Sequence, residues 1–307
     1  MAALPLLSFG VAPAPIGFVW QAGAWLTVGF GSGLVNRALI ESMGEPYRAS
    51  PASAIAKSAL SFLVGCLASA LLVALGFHFG FVSQTLAALA LLPIAFGVYY
   101  WHTSLSPALP VEPPAPPFSE FSRFSLFTIT AALLLQCGSE WLVGGWVPVF
   151  LSHRIGLGPE DALWLLTAYW LALIGGLFGG WYFTARLPRG RILMVGVASV
   201  LAACFLLAST NNAPGASVGV VLLTLGFSGF SCLLTQSLSA RLPAYHPLAL
   251  NRLLTATLVG GLFSAWLAGL LASWGGLTTI LILPAVNSLL VAALLLVLWL
   301  ESKVTGR

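Results

Sequence analysis

Long apolar runs, separated by short polar or proline- and glycine-rich stretches, follow one another along almost the whole chain. A helix that crosses a lipid bilayer needs about 20 predominantly apolar residues. Nine runs meet this length, at 14–38, 54–77, 82–102, 124–151, 162–185, 191–209, 215–240, 250–273 and 278–300. The pattern therefore predicts an all-α polytopic membrane protein, a bundle of about nine transmembrane helices.

One break between the runs is much longer than the others. It is crowded with prolines, which cannot continue a helix: Pro110, Pro113, Pro114, Pro116 and Pro117. We interpret residues 104–123 as a Pro-rich cytoplasmic linker. It divides the chain into a partial N-terminal helix bundle, 1–103, and a C-terminal six-helix bundle, 124–307.

Composition supports a membrane protein and excludes several other classes. The 307 residues are 59% hydrophobic and only 7% charged, whereas soluble proteins carry roughly 25% charged residues. So few charges cannot cover the surface of a soluble enzyme, and a disordered chain or a disulfide scaffold is excluded as well. The net charge of +4 does not indicate nucleic acid, because basic residues in so apolar a chain set topology. The expected partners are the lipid bilayer and a small-molecule solute.

The basic residues lie on one side of the predicted spans. Every Lys and Arg except Arg154 falls in loops or helix ends that alternation places on that side: Arg37, Arg48, Lys57, Arg123, Arg186, Arg189, Arg191, Arg241, Arg252, Lys303 and Arg307. By the positive-inside rule, this side faces the cytoplasm. We therefore expect an integral protein of the bacterial inner membrane with a cytoplasmic C-terminus.

A weak internal repeat relates the two ends of the chain. Residues 26–30, Leu-Thr-Val-Gly-Phe, recur as Leu-Thr-Leu-Gly-Phe at 223–227, and the Leu-Val-Gly of 63–65 recurs at 258–260. These matches align the first three spans with the last three and leave the middle three without a partner. Two parallel repeats are the plan of one class of transporters. We therefore expect that three upstream helices, or a partner chain, complete the N-terminal bundle.

The loop between the fifth and sixth spans resembles a loop of the major facilitator superfamily. It carries Gly179 and Gly180, then Arg186, Arg189 and Arg191, similar to the family's Gly-Gly-…-Asp-Arg-…-Gly-Arg-Arg pattern between its eighth and ninth helices. The resemblance implies that these five residues form a conformational loop. Ala185 stands where the family has Asp, which puts a charge relay through that acid in doubt.

The fourth span resembles the seventh helix of the fucose and glucose/galactose proton-symporter branch. That helix has Gly-x-Glu followed by a tryptophan and an aromatic residue, and here Gly138 and Glu140 precede Trp146 and Phe150. The central Pro-rich linker fits the same family. The resemblance implies a secondary active transporter that lacks the first three helices, with a sugar or polyol as solute, coupling to protons and movement by alternating access.

Glu140 is the acid that lies clearly inside a predicted span. A charged side chain at such depth costs on the order of 3 kcal/mol, so it must face the bundle interior or a watery cavity. Gln136 lies one helical turn earlier and shares its face. We interpret both residues as solute-binding and Glu140 also as the proton-coupling carboxylate. The alternative is a structural carboxylate that pairs with a neighbouring helix.

Two aromatic residues complete the predicted solute site. Sugar sites combine aromatic faces with carboxylate and amide hydrogen bonds, and we assign this role to Trp146 and Tyr169. The alternative for each is membrane-interface placement or plain packing.

Signatures of catalysis and metal binding were sought and are absent from the sequence. It contains no HExxH, P-loop or Gly-x-Ser-x-Gly motif, and its four cysteines have no CxxC spacing. We therefore expect no enzyme activity, no catalytic residue, no cofactor and no metal. Two other functions stay open: a carrier of another solute class, such as a drug or an amino acid, and a transport-incompetent fragment or accessory membrane subunit.

The repeat generates a prediction about mass. The protein expressed from its own locus should exceed the 32.1 kDa of this chain by the mass of roughly 80–110 residues, enough for three more spans. Intact-mass measurement checks this. A mass of 32.1 kDa would contradict the expectation and favour the fragment or subunit.

Overall fold

The computed structural model describes scattered residues between Gly23 and Ser50 and the ranges 50–102, 123–241 and 247–305. Within them the chain forms eight α-helices, each long and apolar enough to cross a membrane. They are α1 (Pro51–His78), α2 (Val82–His102), α3 (Arg123–Ile155), α4 (Pro159–Thr184), α5 (Arg189–Ser209), α6 (Ala213–Arg241), α7 (Pro247–Gly275) and α8 (Ile282–Thr305).

These eight helices correspond to the second to ninth predicted spans, with bounds that differ by a few residues. The all-α polytopic fold class is confirmed, and the chain is an integral membrane protein. The first predicted span, 14–38, is described only at scattered positions, which are helical. The linker, 104–123, lies outside the described residues except for Arg123, which begins α3.

The start of the last helix differs from the prediction. The ninth span was placed at 278–300, but a 3₁₀ turn, Leu277–Leu281, comes first and α8 begins at Ile282. Gly276 has φ +80°, a left-handed conformation that ends α7 and that glycine adopts without strain. Thr279 Oγ1 donates to Leu271 O at 2.7 Å. This bond ties the turn back to the end of α7.

Small residues let the helices approach closely. Gly226 of α6 packs against Val200 and the Gly196 carbonyl of α5, and Gly176 of α4 packs against Ser228 of α6. Because lipid tails are as apolar as leucine, helices in a membrane associate through such close packing and through hydrogen bonds. In α6, 61% of the most apolar stretch of 18 residues is buried inside the protein. Helix α6 is therefore the central helix, packed against α3, α4 and α5.

Helix α1 connects the first part of the chain to the rest. It packs along α4 and also touches α6, whereas α2 packs mainly against α1. In α2, only 6% of the most apolar stretch of 18 residues is buried. Helix α2 therefore presents most of its surface outward, as expected of a lipid-facing helix.

A charged cluster joins three helix ends. Arg241, at the end of α6, donates to Glu301 Oε2 of α8 at 2.9 Å and to the Leu298 carbonyl at 2.8 Å. Ser125, at the start of α3, donates to Glu301 Oε1 at 2.6 Å and accepts from Arg241. We call this end of the bundle, which also carries Arg186 and Arg189, the basic end, and the other the opposite end. Arg241 is therefore a tie between helices as well as a topology signal.

The contact between α3 and α7 generates a stability prediction. A Cβ at Gly260 of α7 would collide with the Leu134 carbonyl of α3. Because backbone cannot move aside cheaply, Gly260→Ala should lower the free energy of unfolding by about 1–3 kcal/mol. The measurement is the apparent melting temperature of the purified protein in detergent.

Gly269→Ala, on the same helix, is the matched control. Its Cβ would lie 3.5 Å from the nearest atom, on the Trp146 ring, which is an ordinary contact. Equal melting temperatures for the two variants would contradict the close α3–α7 approach.

Candidate functional site

Glu140 lies in the middle of α3 and is held by side chains from two helices. Its Oε1 accepts from Gln136 Nε2 at 2.8 Å and from Ser231 Oγ of α6 at 2.6 Å. Gln136 is buried and also donates to the Phe227 carbonyl of α6 at 3.2 Å. A carboxylate that is even partly withdrawn from water needs such donors to offset its lost solvation. The hydrogen bonds join α3 to α6 inside the bundle.

Tyr169 of α4 brings a third helix to the same place. Its side chain is buried, and its hydroxyl has no hydrogen-bond partner among the described residues. The ring meets Trp170 edge-on, with centroids 5.0 Å apart. Glu140 and Cys66 of α1 both lie within electrostatic range of the hydroxyl. Helices α1, α3, α4 and α6 therefore converge here.

We call these residues the Glu140 cluster: Cys66, Gln136, Glu140, Tyr169 and Ser231. It holds one carboxylate, one amide, a serine hydroxyl and a buried phenol with an unused donor. A buried polar group without a partner costs about 1–3 kcal/mol. The arrangement can therefore bind a small group that both accepts and donates hydrogen bonds, such as a hydroxyl.

The structure places Trp146 away from this cluster. Trp146 follows Glu140 by six residues, a rotation of about 240° around a helix with 3.6 residues per turn, so it faces elsewhere. Its ring lies beside Gly269 of α7. Trp141, the residue after Glu140, contacts α1, where its ring stacks on Phe62 with ring centroids 6.0 Å apart.

The predicted conformational loop joins α4 to α5 at the basic end. Gly180 packs against Cys232 of α6, so this glycine supports the close α4–α6 approach. Arg186 lies over the Tyr182 ring, 3.7 Å from its centroid. Arg189 begins α5, and Arg191 lies in its first turn. A Cβ at Gly179, by contrast, would contact the ring of Phe183 on its own helix.

Sequence reasoning did not single out Ser231 or Cys66. Ser231 lies in an apolar stretch rich in glycine and serine, Gly-Phe-Ser-Gly-Phe-Ser at 226–231, where serine is indistinguishable from a small packing residue. Cys66 resembles any small buried residue. The spacing of Gln136 and Glu140, in contrast, was visible because both lie on one helix.

The described residues contain no group of three or more His, Cys, Asp or Glu side chains that could hold a metal ion. The four cysteines are free thiols.

The helix arrangement is similar to that of solved transporters. A bacterial homolog of the human lysosomal transporter Spinster, inward-facing and occupied, aligns with a TM-score of 0.67 at 13% identity, over 97% of this chain and 80% of that one. A variant of the E. coli fucose:proton symporter FucP aligns with a TM-score of 0.55 at 14% identity, over 97% and 81%. The chain has the major facilitator fold.

Another structure of the transporter FucP, in its outward conformation, aligns at 16% identity with a TM-score of 0.49, over 71% of this chain. This chain spans 54% of that structure's length. No family profile matches the sequence, and no curated protein matches it.

The predicted division at the linker assigns α1 and α2 to the N-terminal half of the major facilitator fold and α3 to α8 to the C-terminal half. Helix α1 packs along α4 and touches α6, so on this predicted division the first part of the chain packs against two of the helices that form the Glu140 cluster.

The unpartnered hydroxyl of Tyr169 generates a prediction about stability. Tyr169→Phe removes this hydroxyl alone, breaks no hydrogen bond and relieves a desolvation cost of about 1–3 kcal/mol. The melting temperature in detergent should therefore stay unchanged or rise.

Ser231→Ala is the comparison, because it also removes one hydroxyl, but one that donates to Glu140. Its melting temperature should fall. A fall of the same size in Tyr169→Phe would show that the phenol is hydrogen-bonded.

Proposed function

We propose that this protein is a secondary active transporter that moves a small polar solute across the membrane by alternating access. A sugar or polyol is the proposed solute, and a proton is the proposed coupling ion. The observation that carries the proposal is a hydrogen-bonded carboxylate, Glu140, that lies partly buried where four helices of a transporter fold meet.

The chemistry of the Glu140 cluster suits a hydroxyl-rich solute. Gln136 donates with its amide and Glu140 accepts with its carboxylate, while the Tyr169 hydroxyl offers a donor that is unused in the structure. The rings of Tyr169, Trp170 and Trp141 supply apolar faces for the C–H side of a sugar ring. Trp146 stays a proposed solute contact, reached from the α7 side.

Glu140 is also the proposed proton carrier. Gln136 and Ser231 both donate to its carboxylate, an arrangement that stabilises the charged form. Uptake of a proton would neutralise the group and turn one of its oxygens into a donor. The charged and neutral forms of Glu140 would therefore form different hydrogen bonds. This difference can shift the population between two arrangements of the halves.

The two halves and their connections fit alternating access. The proposed domains are the partial N-terminal bundle, 1–103, the linker, 104–123, and the C-terminal bundle, 124–307. The loop with Gly179, Gly180, Arg186, Arg189 and Arg191 is assigned a conformational role at the basic end. The concentration of basic residues supports a cytoplasmic placement of that end and of the C-terminus in a bacterial inner membrane.

The similar structures support transport as the function class. One is named a fucose:proton symporter and another a homolog of a lysosomal transporter. The proposed sugar and proton chemistry rests mainly on the residues of the Glu140 cluster.

Glu140→Gln tests the proposal, because the amide keeps nearly the shape of the carboxyl group and one acceptor oxygen but cannot take up or release a proton. In proteoliposomes with an imposed proton gradient, the unaltered protein should accumulate a labelled sugar or polyol from a panel that includes fucose, galactose, glucose and mannitol. The variant should insert normally and lose this accumulation.

Asp161→Asn is the control, since Asp161 is an exposed acid in the first turn of α4. It should accumulate solute like the unaltered protein. Unchanged uptake with an unchanged pH dependence in Glu140→Gln would exclude Glu140 as the proton carrier. Failure of the unaltered protein to move any member of the panel would instead count against the sugar assignment.

A further inference from the structure

Helix α1 contacts the helices that follow the linker at both of its ends, and the two contacts differ in chemistry. At the basic end, Tyr47 and Ala54 form a buried apolar cluster with Leu250 of α7. At the opposite end, His78 Nδ1 lies 2.8 Å from Glu160 Oε1 of α4. The first contact is made by two aliphatic side chains and a tyrosine. The second pairs a carboxylate with a histidine that is charged only when it is protonated.

The apolar contact does not change its charge between pH 5 and 8. Burial raises the pKa of Tyr47 to about 12, so its hydroxyl stays neutral in this range. Ala54 and Leu250 have no ionisable group. None of these three side chains therefore changes its charge in this range.

The ionic contact is built from two helix ends. His78 is the last residue of α1, and Glu160 is the second residue of α4. A positive charge at a helix C-terminus and a negative charge at a helix N-terminus are both favoured by the helix dipole. Trp164 Nε1 also donates to Glu160 Oε1, at 3.4 Å, and so holds the carboxylate toward His78.

Both partners are accessible to water and protons. The side chain of His78 is 55% exposed and that of Glu160 is 41% exposed. Histidine is the residue whose charge changes between pH 5 and 8. The pair is ionic only when the His78 imidazole carries a proton.

The other ionisable side chains at this end lie on α4 and α3. On α4, Asp161 adjoins Glu160 and adds negative charge. On α3, which packs against α4, His153 and Arg154 end the helix, and Arg154 donates to the Ala208 carbonyl of α5 at 2.9 Å. Residues 79–84, which lead into α2, and 210–217, which begin α6, contain no ionisable side chain. Glu160 is therefore the acid in direct contact with His78.

We propose that the His78–Glu160 pair is a proton-dependent contact that holds the opposite end of the two halves together. This inference rests on the proposed alternating access and adds its regulation. Rocking of one half against the other opens one end by breaking the contact at that end. Protonation of His78 strengthens the ionic contact and leaves the apolar contact unchanged. Acidic solution at the opposite end therefore favours opening at the basic end, and alkaline solution favours opening at the opposite end.

The test measures the distance between the two halves at the opposite end. Spin labels on Gln84→Cys, at the start of α2, and Asn211→Cys, before α6, report this distance in the full chain by pulsed electron paramagnetic resonance. Labelling of the parent chain sets the background from the four native cysteines. Between pH 5 and pH 8, the ratio of long to short distances should rise about two- to five-fold, the size expected for an exposed ion pair.

Three variants and one control isolate the pair. His78→Gln and Glu160→Gln should each remove the pH response, because either change abolishes the ion pair. His78→Lys keeps the charge at both pH values and should hold the short distance throughout. His153→Gln, which alters the exposed histidine on α3 at the same end, should respond like the parent.

The outcomes separate this inference from the transport proposal, because the measurement needs neither solute nor a proton gradient. Two distance populations whose ratio does not depend on pH would overturn the proton-dependent contact and leave alternating access intact. A pH response that persists in His78→Gln would overturn it as well. A single distance in every variant at every pH would contradict alternating access itself.

Discussion

The bilayer core offers no water to polar groups, so each of them must find its partner within the protein. Glu140 is where this constraint acts most strongly. One oxygen of its carboxylate, Oε1, accepts from Gln136, one turn away on the same helix, and from Ser231 on α6. The second bond requires α3 and α6 to lie side by side at this depth. Small residues at the α4–α6 contact, including Gly176, let α4 approach the same centre with Tyr169.

Two ion pairs within the described residues differ in how far water reaches them. Arg241 and Glu301 have side chains that are 24% and 17% exposed, and they are held by further bonds to Ser125 and a backbone carbonyl. Breaking this cluster would leave partly buried charges without these partners, so it ties the helix ends together. His78 and Glu160 are open to solvent, so water can replace either partner. Of the two pairs, the second is therefore the one to which we assign breaking in the proposed change of conformation.

The predictable part of the candidate site is the part that lies on one helix. Gln136 and Glu140 are four residues apart, and the helical period alone brings them together. Trp146, six residues further on, lies beside Gly269 of α7, and the helical period alone does not relate it to Glu140. Tyr169, Ser231 and Cys66 come from three other helices, and no spacing along the chain relates them to Glu140. His78 and Glu160 looked like separate span-end residues for the same reason.

The sequence by itself determined the number of the spans from α1 to α8, their limits to within a few residues, the all-α membrane fold and the distribution of basic residues. These properties follow from local chemistry, because apolar length, proline, glycine and charge act on the residues where they occur. The tertiary structure decided which helices meet, which polar atoms pair, and that the phenol of Tyr169 is buried with no hydrogen-bond partner in the part of the chain that the structure describes. Those properties depend on crossing points between helices that are distant in sequence, and small residues such as Gly260 set these crossings only once both helices are in place.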